Sequence, residues 1–228
     1  LLLGHVASGQ SAPVVEAVAL LWRRNIMVDA GGKPFIVGIG GTAAPGSSTE
    51  QALILALAAA ERAGARIKMF GCETLANLPH YLTGGSSESA EGRELVEAVR
   101  KADGVIIASP GYHGSISGLV KNAIDYLEET AKDERVYLDG VPVGLIATAY
   151  GWQATGSTLA TLRSIVHALR GWPTPLGAAI NSSGGIFKNG ECSDAGASAQ
   201  LDLVGKQVVQ FARLRISDPS VTDTTGPA

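Results

Sequence analysis

The sequence predicts an α/β domain built on a doubly wound, five-stranded parallel sheet with helices on both faces. Three observations predict it. Short apolar runs ending in Gly, Ser or Pro alternate five times with helical patterns of ten or more residues. The third run, GVIIAS over 104–109, is apolar on both faces, as a sheet covered by helices on each side requires. Across 228 residues the composition, with 29 glycines, 17% charged and 5% aromatic residues, suits tight loops and short buried strands.

Residues 1–33 stand apart as an N-terminal extension in which 13–22 read as one amphipathic helix and 29–34 as a linker. The first strand is expected over 35–39. A helix over 48–63 follows, opened by a capping box in which the Ser48 hydroxyl accepts from the third helical N–H while Gln51 reaches back. The second strand falls over 66–70 and its helix over 90–102; the third strand, 104–109, is followed by a helix over 115–130. The fourth strand spans 141–149. Its helix, 156–170, sets Leu159, Leu162, Ile165, Val166 and Leu169 at a 3.6-residue period and stops at Gly171, with Pro173 beyond. A fifth strand near 175–180 and a last helix near 197–214 complete a domain bounded at 34–216, leaving 217–228 as a C-terminal tail.

Charge and cysteine usage exclude several classes. With 18 basic and 21 acidic residues, a net charge of −3 and no block of one sign, neither a nucleic-acid nor an acidic-membrane partner is expected. Cys72 and Cys192 lie far apart outside any Cys-x-x-Cys pattern, which argues against a disulfide framework or thiolate zinc site and fits the cytoplasm. No run reaches the roughly 18 apolar residues of a membrane helix. His5, His80 and His167 are scattered without a second ligand at metal spacing, so no metal is expected.

In open α/β sheets ligands sit at the carboxyl ends of strands where the winding reverses, so the loops after strands one, three and four carry the argument. The first, GGTAAPGSST over 40–49, joins a helix N-terminus to the hydroxyls of Thr42, Ser47, Ser48 and Thr49, a set that suits a phosphate. The same hydroxyls suit simple helix capping, and both readings stand on the residues alone. Ser47 occupies the place where an ATPase loop needs lysine, and GIGGTA lacks the dinucleotide fingerprint. After strand three, Gly111 and Gly114 bracket Tyr112 and His113, which lets backbone approach a flat ligand while Tyr112 packs against it. No Gly-x-Ser-x-Gly elbow is followed by hydrolase partners, so a hydrolase is not expected.

The segment SPGYHGSISGLVKNAID over 109–125 resembles the signature of the NADPH-dependent FMN reductase family of flavodoxin-like proteins, which usually reads SPEY(N/H)GSxxGxLKNAxD. The resemblance covers roughly 33–214. It implies a flavodoxin-like fold with FMN as cofactor. By similarity Thr42, Ser47, Ser48 and Thr49 would hold its phosphate, and Pro110, Gly111, Tyr112, His113 and Gly114 would border the isoalloxazine ring. Tyr150, Gly151 and Trp152, at the start of the loop over 150–155, would reach the pyrimidine edge.

The implied activity is an NAD(P)H-dependent FMN reductase, with NADPH or NADH as co-substrate giving hydride to the flavin and no catalytic side chain assigned. The alternative is an FMN-dependent dehydrogenase or a quinone, nitro or azo reductase that holds its FMN tightly and acts on a small organic substrate. A flavodoxin-type carrier fits less well, because such carriers are strongly acidic. The resemblance also implies a homodimer or homotetramer that passes electrons to a flavin-dependent monooxygenase or another acceptor. One departure stands out: Ala43 and Ala44 occupy a loop where relatives commonly carry an arginine. Lys121, Asn122 and Asp125, spaced for contact on one helix face, are expected to be structural or to meet another subunit.

Overall fold

In a computed structural model describing residues 32–82, 89–188 and 190–218, five strands pair in parallel in the order β2-β1-β3-β5-β6. They are β1 (Phe35–Gly40), β2 (Arg66–Phe70), β3 (Gly104–Tyr112), β5 (Pro142–Ala149) and β6 (Trp172–Asn181), while a short β4 (Ser115–Ile116) pairs antiparallel with the end of β3. The helix expected over 13–22 and residues 219–228 of the tail lie outside the described residues.

Strand residues alternate between two cores, which is the side-chain period of a strand made visible. Val37, Ile39, Val105, Ile107, Val143 and Leu145 point into one cluster with Leu95 and Val99 of α3 (Ala90–Arg100), Val120 and Ile124 of α4 (Gly118–Asp125), and Leu162 and Val166 of α5 (Trp152–Ala168). Ile36, Ile106 and Ile146 point the other way, toward Leu53 and Leu57 of α1 (Ser48–Arg62) and Leu201, Val204 and Val208 of α6 (Ala195–Ser217). Helices therefore cover both faces, as the doubly apolar third strand requires.

α1 and α6 meet over a seam of small residues. A Cβ at Gly205 would lie 2.2 Å from the Ala56 carbonyl oxygen and 2.9 Å from the Ala59 Cβ. Only glycine permits this backbone approach.

Several boundaries differ from expectation. The α1 N-cap is Ser47, one residue before the expected Ser48, and its hydroxyl accepts from Glu50 N–H at 3.3 Å; the reciprocal half of a capping box is not made, because the Glu50 carboxylate accepts from Gly46 and Cys72 N–H instead. The Ser47–Ser48 doublet offers two S-x-x-E/Q frames, and the cap falls on the first serine. β3 continues to Tyr112, so Pro110, Gly111 and Tyr112 are strand and not loop. The helix expected over 115–130 divides into β4, α4 and a 3-10 turn over Tyr126–Thr130, because Ser117 caps α4 by accepting from Val120 N–H at 3.2 Å. α5 begins at Trp152, four residues before the expected start, with Gly151 extended ahead of it. β6 begins at Trp172, and an irregularity in its register between Val143 and Leu145 accommodates Pro173 and Pro175.

Short elements without periodic signal also appear: α2 (Cys72–Asn77) and a hairpin of β7 (Phe187–Lys188) and β8 (Glu191–Cys192). Asn122 belongs to the structural class expected of it. Its carboxamide accepts from Tyr81 N–H at 2.7 Å and donates to the Pro79 carbonyl at 2.8 Å, fastening the segment after α2 to α4, while Lys121 and Asp125 form an ion pair on the outer face.

Candidate functional site

The carboxyl ends of the three central strands bring the three expected loops side by side, with Gly40 level with Ala108 and Pro110 level with Thr148. The first loop enters α1 through Ser47. Ser48 and Thr49, the first two helical residues, present N–H groups that have no acceptor within the helix, and the helix dipole adds partial positive charge there. Residues 40–51 contain no lysine or arginine, so donor groups alone would meet an anion. Such a set, N–H plus hydroxyl, fits a phosphate ester.

The four hydroxyls expected at this loop divide by role. Ser47 and Ser48 are half-buried at the helix start, where a hydroxyl can donate outward. Thr42 folds back on its own loop: its Oγ1 accepts from Ala44 N–H at 3.0 Å and lies 3.2 Å from the Ala44 carbonyl, a turn-shaping role. Thr49 is 2% exposed, and its Oγ1 lies 2.6 Å from Thr148 Oγ1 at the end of β5. That buried bond ties the first loop's helix to the strand that feeds the third loop.

The second loop is a tight hairpin. Tyr112 pairs with Ser115, leaving His113 and Gly114 as a two-residue turn with φ values of 50° and 86°. Positive φ at both central positions is the type I′ arrangement, whose twist matches the flanking strands. Histidine is among the side chains that tolerate it. Ser109 Oγ donates to the Pro110 carbonyl at 2.9 Å and accepts from Ser117 N–H at 3.0 Å, bracing the base of the hairpin. Its flank packs on α5, where Thr158 Oγ1 donates to the Ser115 carbonyl at 3.4 Å. The result is a rigid backbone ribbon with Tyr112 left 51% exposed at its edge.

The third loop is shorter than expected. Tyr150 and Gly151 link β5 to α5, and Trp152 is already helical; Tyr150 is 83% and Trp152 67% exposed. Ser182 N–H donates to the Ala149 carbonyl at 2.8 Å and holds the base of this link to the end of β6. The three loops thus offer a helix N-terminus, a flat ribbon and three solvent-facing aromatic side chains. An anionic ligand with a planar ring matches that combination.

Sequence reasoning missed Glu50, Ser109, Ser117 and Thr148, which shape the loops from behind, and expected Gln51 in a capping box where it instead donates to the Gly46 carbonyl at 2.6 Å. Glu50 accepts from Gly46 N–H at 2.7 Å and from Cys72 N–H at 3.0 Å. Burial pushes this carboxyl up, but the bonds from Cys72 and Gly46 outweigh it and hold the group below its ordinary value. The S-x-x-E frame starting at Ser47 was the available signal for Glu50. Thr148 carried none, because its partner is 99 residues away.

The family described as NADPH-dependent FMN reductase matches residues 34–184. A Staphylococcus aureus protein described as an FMN-dependent NADPH-azoreductase is 37% identical over 123 residues, covering 52% of this chain and 61% of that protein. The chain therefore spans less than two thirds of that relative's length. Among solved structures, NADH:FMN oxidoreductase (EmoB) in its apo form superposes with a TM-score of 0.64 at 24% identity, over 86% of this chain and 97% of that one. A WrbA-like flavodoxin from Agrobacterium tumefaciens gives 0.56 at 18%, over 80% and 99%. At these identities the superpositions establish the fold, which is flavodoxin-like.

Proposed function

The chain belongs to the NADPH-dependent FMN reductase family, and from that premise we propose that it binds FMN at the carboxyl ends of β1, β3 and β5 and catalyses reduction of the flavin by NAD(P)H. The observation that carries this reading is the juxtaposition of the α1 N-terminus with the Tyr112–Ser115 hairpin across neighbouring strands. When bound, FMN supplies a ring that accepts hydride from the nicotinamide and hands the electrons on.

The chain's own groups bind, orient and shield. The N–H groups of Ser48 and Thr49 and the hydroxyls of Ser47 and Ser48 would hold the phosphate, with Thr42 and Thr49 fixing the loop around it. Pro110, Gly111, Tyr112, His113 and Gly114 would offer a flat face and backbone donors to the ring. Tyr112, Tyr150 and Trp152 would flank the mouth and keep water from the donor's stacking surface. No side chain is assigned a proton transfer, because orientation alone accounts for hydride delivery between stacked rings.

A second reading, reduction of an azo or other small aromatic acceptor on retained FMN, draws on the azoreductase relative and on the three exposed aromatic side chains. Anaerobic steady-state assays separate the two. NADPH oxidation that rises with added free FMN and needs no other acceptor supports flavin reduction; dye bleaching at a stoichiometric amount of FMN supports the second. If purified protein fails to bind FMN in a spectroscopic titration, both readings fall.

Residues 34–216 are the proposed FMN-binding unit, with 1–33 and 217–228 as appendages. The resemblance also supports a cytoplasmic homodimer or homotetramer that passes reduced flavin to a monooxygenase or other acceptor. Sedimentation and transfer assays test those points.

A further inference from the structure

The first loop is shaped by two consecutive residues of the helix that follows it. Gly46 stands at the loop's apex with φ of 72°, and its two hydrogen-bonding groups are taken by Glu50 and Gln51. Glu50 Oε2 accepts the Gly46 N–H at 2.7 Å, and Gln51 Nε2 donates to the Gly46 carbonyl at 2.6 Å. Each side chain has a second hold elsewhere. Glu50 Oε1 accepts from Cys72 N–H where β2 gives way to α2, and Gln51 Oε1 accepts from Gly190 N–H, at 3.4 Å, in the β7–β8 turn.

We propose that Glu50 and Gln51 are positioning residues for the FMN phosphate, which clamp Gly46 between two neighbouring turns and so fix the entry into α1, whose Ser48 and Thr49 N–H groups receive the anion. The inference rests on the FMN reading above. Its content is that order in this loop is supplied from within α1, in a chain whose loop has Ala43 and Ala44 and no basic residue to gather the phosphate. A loop without that charge gains more from being fixed beforehand, since the ordering cost is then met before the ligand arrives.

The charge on Glu50 makes the test discriminating. A carboxylate beside a phosphate repels it, so Glu50→Gln would tighten FMN if charge were the only change. A clamp predicts the opposite. The glutamine amide can accept one N–H but turns an NH2 group toward the other, so the bridge between Gly46 and Cys72 opens. Gln51→Ala removes the second tie with no change of charge.

The experiment is calorimetric titration of wild-type protein, Glu50→Gln and Gln51→Ala with FMN and, separately, with riboflavin, which has the ring but not the phosphate; thermal melts of the ligand-free proteins run alongside. The clamp predicts that each variant binds FMN about 3- to 10-fold more weakly, the worth of one or two ordering hydrogen bonds, with riboflavin affinity unchanged. FMN affinity that rises or stays level in both variants overturns it. Equal losses for both flavins, with a matching fall in melting temperature, assign the pair to general stability and overturn it too. Wild-type protein that binds neither flavin removes the FMN reading itself, an outcome distinct from a wild type that binds FMN and variants that match it.

Discussion

Position 113 demands a residue that tolerates a positive φ, and this dictates which substitutions the hairpin accepts. His113→Asn should leave stability within about 0.5 kcal/mol, because asparagine enters the left-handed region readily. His113→Val should cost about 1–2 kcal/mol, since a β-branched side chain crowds the carbonyl there. Urea denaturation of the two variants checks both values. The neighbouring loop lacks a cation, so Ala44→Arg, at an exposed position, should tighten FMN about tenfold, as one charge-assisted bond near 1.5 kcal/mol would. Fluorescence quenching of FMN measures it. Inside the fold, Thr148→Val strands the Thr49 hydroxyl in a buried site and should cost about 1–3 kcal/mol, whereas the Thr49→Val, Thr148→Val pair should recover part of the loss. A valine pair as unstable as the single variant would show that the loss comes from the missing bond itself and not from a stranded hydroxyl.

At the scale of elements, the α1–α6 seam is a close backbone contact. Gly205→Ala would set a methyl 2.2 Å from the Ala56 carbonyl, so the helices must part, at about 1–3 kcal/mol and with loss of packing at Ala59 and Ala60. Denaturant melts read the cost. The sequence made the long elements legible because a buried parallel strand is a continuous apolar run and a surface helix repeats every 3.6 residues. It left β4, β7, β8 and α2 hidden, since two to six residues carry no period. Register at the α1 cap was ambiguous for a definite reason: Ser47 and Ser48 each begin a valid capping frame. The glycines and Tyr112 of the second loop were visible as chemistry, but their division into strand and turn depends on β4, which only pairing creates. Likewise, Thr49 was legible as a hydroxyl near the first loop but not as one turned inward, because that direction is set by Thr148.

For the whole molecule, carboxylates held below their ordinary values set the acid limit. Glu50 is pushed up by burial but held low by N–H donors, and Asp202 is lowered first by Lys206, against burial and with help from Arg62. A lowered folded-state value means that stabilisation is fully present above the unfolded-state pKa, near 4, and is lost as pH falls through the folded value. The melting temperature should therefore change little from pH 7 to about 5 on account of these groups and fall below about 4.5, with a shallower fall in Glu50→Gln. Scanning calorimetry between pH 3 and 7 tests the sign.

The placement of α6 reaches beyond the finished structure. This helix follows every strand among the described residues, yet Val204 and Val208 sit where side chains at Gly144 and Gly104 would clash, so it is the lid on half of one sheet face. Before it has emerged from the ribosome, Ile36, Ile106 and Ile146 have only α1, through Leu53 and Leu57, as cover on that side. Native docking must wait for α6 to be synthesised, and until then the half-covered sheet is a natural client for a chaperone.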